Sequence, residues 1–274
     1  MKIGFIGFGE VASTLARSFI SEGVKVSTCL KGRSPKTVNL AQSSGVNISP
    51  SFYQLADVSD IVISAVVPAQ AVEAAKVIGK NFKGLYVDLN NVSPFTVKEA
   101  LHNISNGKTA DAAIMSSITK GVNVPIVVSG KYGSEFAELN DLGMNIEVVG
   151  DEIGQASALK MLRSAYTKGV SALLFESLYA AYQMKIDELV LKYLTKTEGS
   201  HFKEIAISRI LNSILHRERR TQEVGEVLNF LSEYEDPLMT QATLEFFKLI
   251  VNQVDTMEER PTDYREIFRT ISEK

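Results

Sequence analysis

A short apolar run, Ile3-Gly4-Phe5-Ile6, passes straight into Gly7 and Gly9, with Ala12 three residues further on. This junction limits the fold more than any other stretch of the chain. Val11, Leu15, Phe19 and Ile20 recur at helical spacing after it, so the run before it reads as a parallel strand covered on both faces. G-x-G-x-x-A between a strand and a helix is a dinucleotide-binding pattern. Gly7 allows the tight turn, Gly9 leaves no side chain between backbone and pyrophosphate, and Ala12 lets helix pack closely on strand. The first helical residues, Glu10, Val11 and Ala12, supply backbone N–H groups at the positive end of the helix dipole, where phosphates bind.

At 274 residues the chain is long enough for two domains. Its 29 Lys+Arg against 32 Asp+Glu leave a net charge of −3, too balanced to suggest nucleic acid or an anionic membrane as partner. A small molecule is the expected partner. The single cysteine, Cys29, excludes an internal disulfide and a Cys-rich metal site, and fits a reducing compartment. Met1 runs almost at once into a core strand, leaving no room for a signal peptide, and no apolar run reaches membrane-spanning length. The expectation is a cytoplasmic protein.

From residue 1 to about 150, short apolar runs alternate with amphipathic stretches, the pattern of an α/β doubly wound parallel sheet. Strands are expected at Lys2–Ile6, Val24–Cys29, Ile61–Val66, Gly84–Leu89, Thr109–Ala113, Ile126–Ser129 and Asn145–Val149. Beyond Gly150 the character changes. Ala156–Leu189, Phe202–Arg217, Thr221–Leu231 and Pro237–Met257 carry helical periodicity, and the polar stretch Thr195–Ser200 reads as a loop. The division expected is a Rossmann domain over 1–152 followed by an all-α domain over 153–274.

An NAD enzyme places Asp or Glu at the end of its second strand, roughly 20 residues beyond the glycines. No acid stands there. Arg33, Ser34 and Lys36 follow instead and suit a 2′-phosphate, so NADP is expected over NAD; a merely solvated basic turn is the alternative. Val67 and Pro68 follow the strand Ile61–Val66, and Asn90, Asn91 and Ser93 follow Gly84–Leu89. Both segments lie at carboxyl ends of strands, where ligands bind in open α/β sheets. The three polar residues suit a nicotinamide ribose, or equally an Asx turn before Pro94.

Lys160, Ser164 and Lys168 stand at i, i+4 and i+8 on one helix face, with Ala156 and Ser157 one turn earlier. Moving hydride between an alcohol and a ketone needs a group to take or give the hydroxyl proton. A lysine does so once its pKa falls from about 10.4 toward about 7–8. Ser164 then suits the hydroxyl or a carboxylate, and Lys168 the carboxylate; an exposed polar stripe is the alternative. His216, Arg219, Arg220 and Glu223 fall at roughly helical spacing, as an anion-binding face or, more plainly, as solvated surface charge. His201 and His216 lie in different segments with no second ligand at metal spacing around either, so no metal is expected.

Together these residues resemble the β-hydroxyacid dehydrogenase family, which includes 3-hydroxyisobutyrate and 6-phosphogluconate dehydrogenases. Asp88 to Pro94 resembles its D-x-x-[TN]-x-S-P segment, and Gly154 to Lys160 its G-x-G-x-x-x-K helix. The resemblance implies that Lys160 is the general acid/base. Ser164 stands where the family usually has Asn. Asp111 to Ser117 matches the family's substrate-binding D-A-P-V-S-G-G stretch, which implies Ser116 and Ser117 in substrate binding, with serines in place of the glycines. A closer similarity is to a subgroup whose C-terminal domain has no known function, through Lys160 to Gly169 and Arg219 to Glu226. The family further implies a homodimer packed through its helical domains. The activity implied is an NADP-dependent oxidoreductase acting on a small carboxylated hydroxy acid. Its rivals are an imine reductase, against which the retained Lys160 argues, and a regulatory protein that senses NADP without chemistry.

Overall fold

Eight strands form one sheet in a computed structural model that describes residues 1–79, 82–254 and 261–273: β1 Lys2–Ile6, β2 Lys25–Thr28, β3 Asn47–Ile48, β4 Ile61–Ser64, β5 Leu85–Asp88, β6 Lys108–Ile114, β7 Pro125–Ser129 and β8 Asn145–Gly150. Their order across the sheet is β3-β2-β1-β4-β5-β6-β7-β8. The chain builds outward from β1 to β3, then returns to lay β4 on the other side of β1. That reversal opens a crevice at the carboxyl ends of β1 and β4.

Helices α1 Glu10–Ser21, α2 Pro35–Ser43, α3 Phe52–Val58, α4 Ala71–Gly79, α5 Pro94–His102 and α6 Gly133–Ala137 connect these strands. Alternation along each strand divides its side chains between two cores. Ile61, Ile63, Leu85 and Val87 enter one with Leu15 and Phe19 of α1, while Val62 and Tyr86 enter the other with Leu55, Ala75 and Val97.

The sheet departs from the expected parallel arrangement at one pairing. β6 and β7 run antiparallel, because the loop between them holds a single short 3₁₀ turn, Ile118–Lys120, and a parallel return needs a longer crossover, usually helical. β3 was not expected: at two exposed residues it shows no alternation.

The chain divides into two compact units, Met1–Lys160 and Met161–Lys274. The second is made of the rest of α7 Gln155–Gln183, then α8 Asp187–Glu198, α9 Phe202–Leu215, α10 Arg217–Leu231, α11 Leu238–Gln253 and α12 Tyr264–Ser272. Its core gathers Phe175, Leu178, Leu191, Ile210 and Ile250 around Phe268, whose ring meets those of Phe175, Tyr179 and Tyr264 edge-on. Asp187 ties α8 to α12 by accepting from the Tyr264 hydroxyl at 2.5 Å and from Arg265 at 2.8 Å.

Several expected boundaries shift. The stretch Ala156–Leu189 is broken after Gln183, where Lys185 takes φ 60° and the Lys185 and Ile186 N–H groups donate back to Tyr182 and Ala181, a Schellman closure. Thr195 to Glu198 are helical rather than a loop. Their polar side chains suit an exposed helix face, and Gly199 at φ 107° is the stop. A break at His216 moves Arg217 to Arg220 into α10. Of the stretch Pro237–Met257, residues 255–257 lie outside the described residues. Among the described residues no helix is long and apolar enough to cross a membrane.

Candidate functional site

The two glycines of the opening turn have different physical reasons. Gly7 sits at φ 79°, and a Cβ there would lie 2.3 Å from the Ala65 carbonyl oxygen, so the fold itself requires glycine. At Gly9 a Cβ would meet nothing within 4 Å; the space is open. Gly9 is also the N-cap of α1, which therefore has no side-chain cap, whereas Ser34, Ser51 and Ser93 accept the Thr37, Gln54 and Thr96 N–H groups at the starts of α2, α3 and α5. Ala12 is fully buried against the sheet, while Glu10 is exposed and Val11 partly so. An uncapped helix start facing an empty space is what a pyrophosphate needs, so these residues fit a dinucleotide.

The remaining cofactor candidates lie along the same edge. Arg33, Ser34 and Lys36 follow β2 and enter α2; Val67 and Pro68 follow β4 and are exposed; Asn91 follows β5 and is half-buried. Arg33 holds its guanidinium over the Phe52 ring, 5.9 Å from the centroid, and its Nε is buried with no hydrogen-bond partner among the described residues. A buried donor in that state marks room for an acceptor. Ser34 is already engaged as the α2 cap.

Asn90 is engaged as a brace. Its Oδ1 accepts the Val66 N–H at 2.7 Å, and its Nδ2 donates to Ser64 and Asp88, each at 2.9 Å, tying the ends of β4 and β5 together. Ser93 caps α5. Burial pushes the Asp88 carboxyl up to about 7 against the pull of the Asn90 hydrogen bonds, and neighbouring Asp111 adds to the rise.

Asp111 drew no role of its own from the sequence, yet it anchors the start of α7. Ile6, Ser64, Asp88, Asp111 and Ser129 form one row of register partners across β1, β4, β5, β6 and β7. From that row Asp111 accepts the Gly154 and Ser157 N–H groups at 3.1 and 3.0 Å and the Ser157 hydroxyl at 2.7 Å, while Ser129 Oγ accepts the Ala156 N–H at 3.0 Å. Its pKa is nonetheless raised, burial outweighing these bonds. Its signals in the sequence were an acid inside an apolar strand and its place at the head of the Asp111 to Ser117 stretch. Lys160, half-buried, stands three residues beyond Ser157 on α7. Ser116 and Ser117, exposed, follow β6 into the Ile118–Lys120 turn that packs on α1, and Ser117 is hydrogen-bonded to Thr119.

In the second unit Lys168 is bonded to the Ser164 hydroxyl and paired with Glu223 at 3.0 Å. Burial pulls its ammonium below the usual lysine range, with Glu223 opposing. Glu223 is also bonded to Arg219 at 2.8 Å, and Arg220 is half-buried, so this group is more than solvated surface charge. Among the described residues no three His, Cys, Asp or Glu side chains cluster as a metal site would require.

Comparison with known proteins agrees with this architecture. Residues 2–91 match the family described as "NADP oxidoreductase coenzyme F420-dependent", and residues 181–250 match domain of unknown function 1932. An uncharacterized 28.5 kDa protein of Methanothermus fervidus is 43% identical over 251 residues, covering 91% of this chain and 99% of that one. The solved structure of the conserved protein MTH1747, of unknown function and described as structurally similar to 3-hydroxyacid dehydrogenases, is 47% identical with a TM-score of 0.86, over 92% of this chain and 97% of that one. At 12% identity the fold alone is shared with Mycobacterium tuberculosis 3-hydroxyisobutyrate dehydrogenase, with a TM-score of 0.77 over 98% of each chain. The chain belongs to the same family as the Methanothermus fervidus 28.5 kDa protein and MTH1747, and pairs an N-terminal segment similar to the NADP oxidoreductase coenzyme F420-dependent family with a C-terminal domain of unknown function 1932.

Proposed function

We propose that this protein is an NADP-dependent dehydrogenase or reductase that moves hydride to or from a small carboxylated hydroxy acid, or the matching ketone, with Lys160 as general acid/base. The observation that carries the reading is the anchoring of α7 by Asp111 and Ser129. It starts the helix that bears Lys160 at the same row of the sheet from which the glycine turn leaves β1.

The open space at Gly9 and the uncapped start of α1 support binding of the pyrophosphate, and the orphaned Arg33 Nε with Lys36 supports a 2′-phosphate. Asn91, Val67 and Pro68 are the candidates nearest the nicotinamide end. When bound, the nicotinamide supplies or accepts the hydride. Lys160 Nζ takes the hydroxyl proton in the oxidising direction and returns it in the reducing one. Ser164, Ser116, Ser117 and Lys168 are the candidates that would orient the substrate. We take the working form to be a homodimer.

The test is a Lys160→Ala protein assayed with NADPH and NADP against a panel of hydroxy and keto acids. Turnover should fall about a hundredfold or more while NADPH still binds. Full turnover with intact binding would remove the lysine from the mechanism. A wild-type chain that binds NADPH and turns over no substrate in the panel would favour the sensor instead.

A further inference from the structure

The second unit contains a cleft of about 460 Å³ between α7, α9 and α10, lined by four cations, Lys168, Arg209, Arg219 and Arg220, against two carboxylates, Glu204 and Glu223. On a chain whose net charge is −3 this is a local excess of positive charge. Nor is it a freely solvated one: the Lys168 side chain is only 12% exposed.

What fixes these groups decides what they are free to bind. Arg209 donates one N–H to the Thr167 carbonyl at 2.9 Å. Arg220 donates one to Ser213 Oγ at 3.0 Å and lies over the Phe247 ring, 5.8 Å from its centroid. A guanidinium has five N–H donors, so these neutral partners orient both forks without neutralising them. Among the described residues Lys168 is the inner cation held in an ion pair, with Glu223, whose other oxygen is bonded to the exposed Arg219. Burial pulls Lys168 and Arg220 below their usual ranges; for Arg220, Arg209 and Arg219 add to the fall while Glu223 opposes it. Burial also works against the charge on Glu223, but Lys168 and Arg219 outweigh it and hold the carboxyl below its ordinary value. Desolvated cations held this close are relieved by an entering anion.

We propose that this cleft seats a dianionic oxyanion, a phosphate ester or a pair of carboxylates, bound by Lys168, Arg209 and Arg220, and that Glu223 is an internal counter-ion with which the ligand competes.

Calorimetric titration of the full chain with inorganic phosphate, and separately with malonate, tests the seat without any need for turnover. Lys168→Met should weaken binding about tenfold or more, and Glu223→Gln should tighten it about threefold or more. Lys248→Ala, which removes an exposed pair on α11, should change nothing. Tighter phosphate identifies an ester and tighter malonate a dicarboxylate. Because phosphate also suits the glycine turn, each titration is repeated with saturating NADPH. Binding that vanishes with NADPH and ignores Lys168→Met belongs to the turn and overturns the proposal. So does an absence of binding to both wild type and Glu223→Gln. A failed Lys160→Ala test leaves these titrations unaffected, so the two readings fail separately.

Discussion

Gly7 and Gly9 look alike in the motif and differ in what they protect. Gly7→Ala forces an L side chain into a left-handed conformation, at about 1–3 kcal/mol, and drives its Cβ against the Ala65 carbonyl, so the melting temperature should fall whether or not cofactor is present. Gly9→Ala has normal backbone angles, φ −96° and ψ −158°, and empty space around it, so stability should hold. Its methyl group would occupy the room left for the pyrophosphate, and NADPH affinity should drop about tenfold or more by fluorescence titration. Equal losses of stability in the two variants would mean that Gly9 is structural too. Arg33 allows a sharper test of the cofactor's identity. Arg33→Asp should raise the NADPH Michaelis constant far more than the NADH one, since only the former has a 2′-phosphate to lose; equal effects would sink the NADP preference. Both expectations could be raised from the sequence because a dinucleotide demands a residue type at a fixed place. The role of Asp111 could not be: its partners, Gly154 and Ser157, lie more than 40 residues away, and only tertiary structure brings them to it.

At the scale of elements, the row from Ile6 to Ser129 places two carboxyls, Asp88 and Asp111, side by side on β5 and β6 inside the sheet. Burial raises both, Asp88 to about 7, with Asp111 adding to that rise. In the unfolded chain such groups titrate near 3.9. Between about pH 4 and 7 the folded protein therefore holds protons that the unfolded chain has released, and this contribution is complete below about 4 and lost as pH rises through about 7. Melting temperature should fall from pH 5 to pH 8, and Asp88→Asn should flatten that slope whatever its constant cost at every pH. A slope unchanged in the variant would remove Asp88 from the titration. Other elements divide by what local chemistry announces. Strands such as β4 and β5 were readable because short, nearly continuous apolar runs feed two cores, one on each face of the sheet. The end of α7 was not, because its Schellman closure uses Lys185 where a glycine would have signalled it. The antiparallel β7 was missed for a related reason: its residues suit either direction, and only the short loop before it decides. The helix α12, short and polar in its first turn, owes its place to Asp187, 77 residues from Tyr264.

For the whole molecule, the question is what covers α7. Its polar residues Lys160, Ser164 and Lys168 share one face, and on the far side Leu159, Leu162, Tyr166 and Leu173 recur at three-, four- and seven-residue steps with Gly169 between the last two. Leu162, Tyr166 and Leu173 are 50%, 68% and 60% exposed, too large a run of apolar side chains to leave in water on one 29-residue helix without a partner surface. The chain's near-neutral balance does little to keep copies apart, and a stripe of this kind is self-complementary across a two-fold axis, as an isologous dimer requires. Light scattering on a sizing column should therefore give twice the 30.1 kDa chain mass at micromolar concentration. Tyr166→Glu combined with Leu173→Glu should return it to the single-chain mass, with the circular dichroism of both units retained, because neither side chain belongs to a core. A wild-type chain that runs as a monomer, or a double variant that stays dimeric, would show that α7 is not the interface. If the dimer does form there, the apolar face of α7 serves assembly while its opposite face carries Lys160, so the double variant should lose turnover in proportion to its loss of dimer only if assembly steadies the catalytic face.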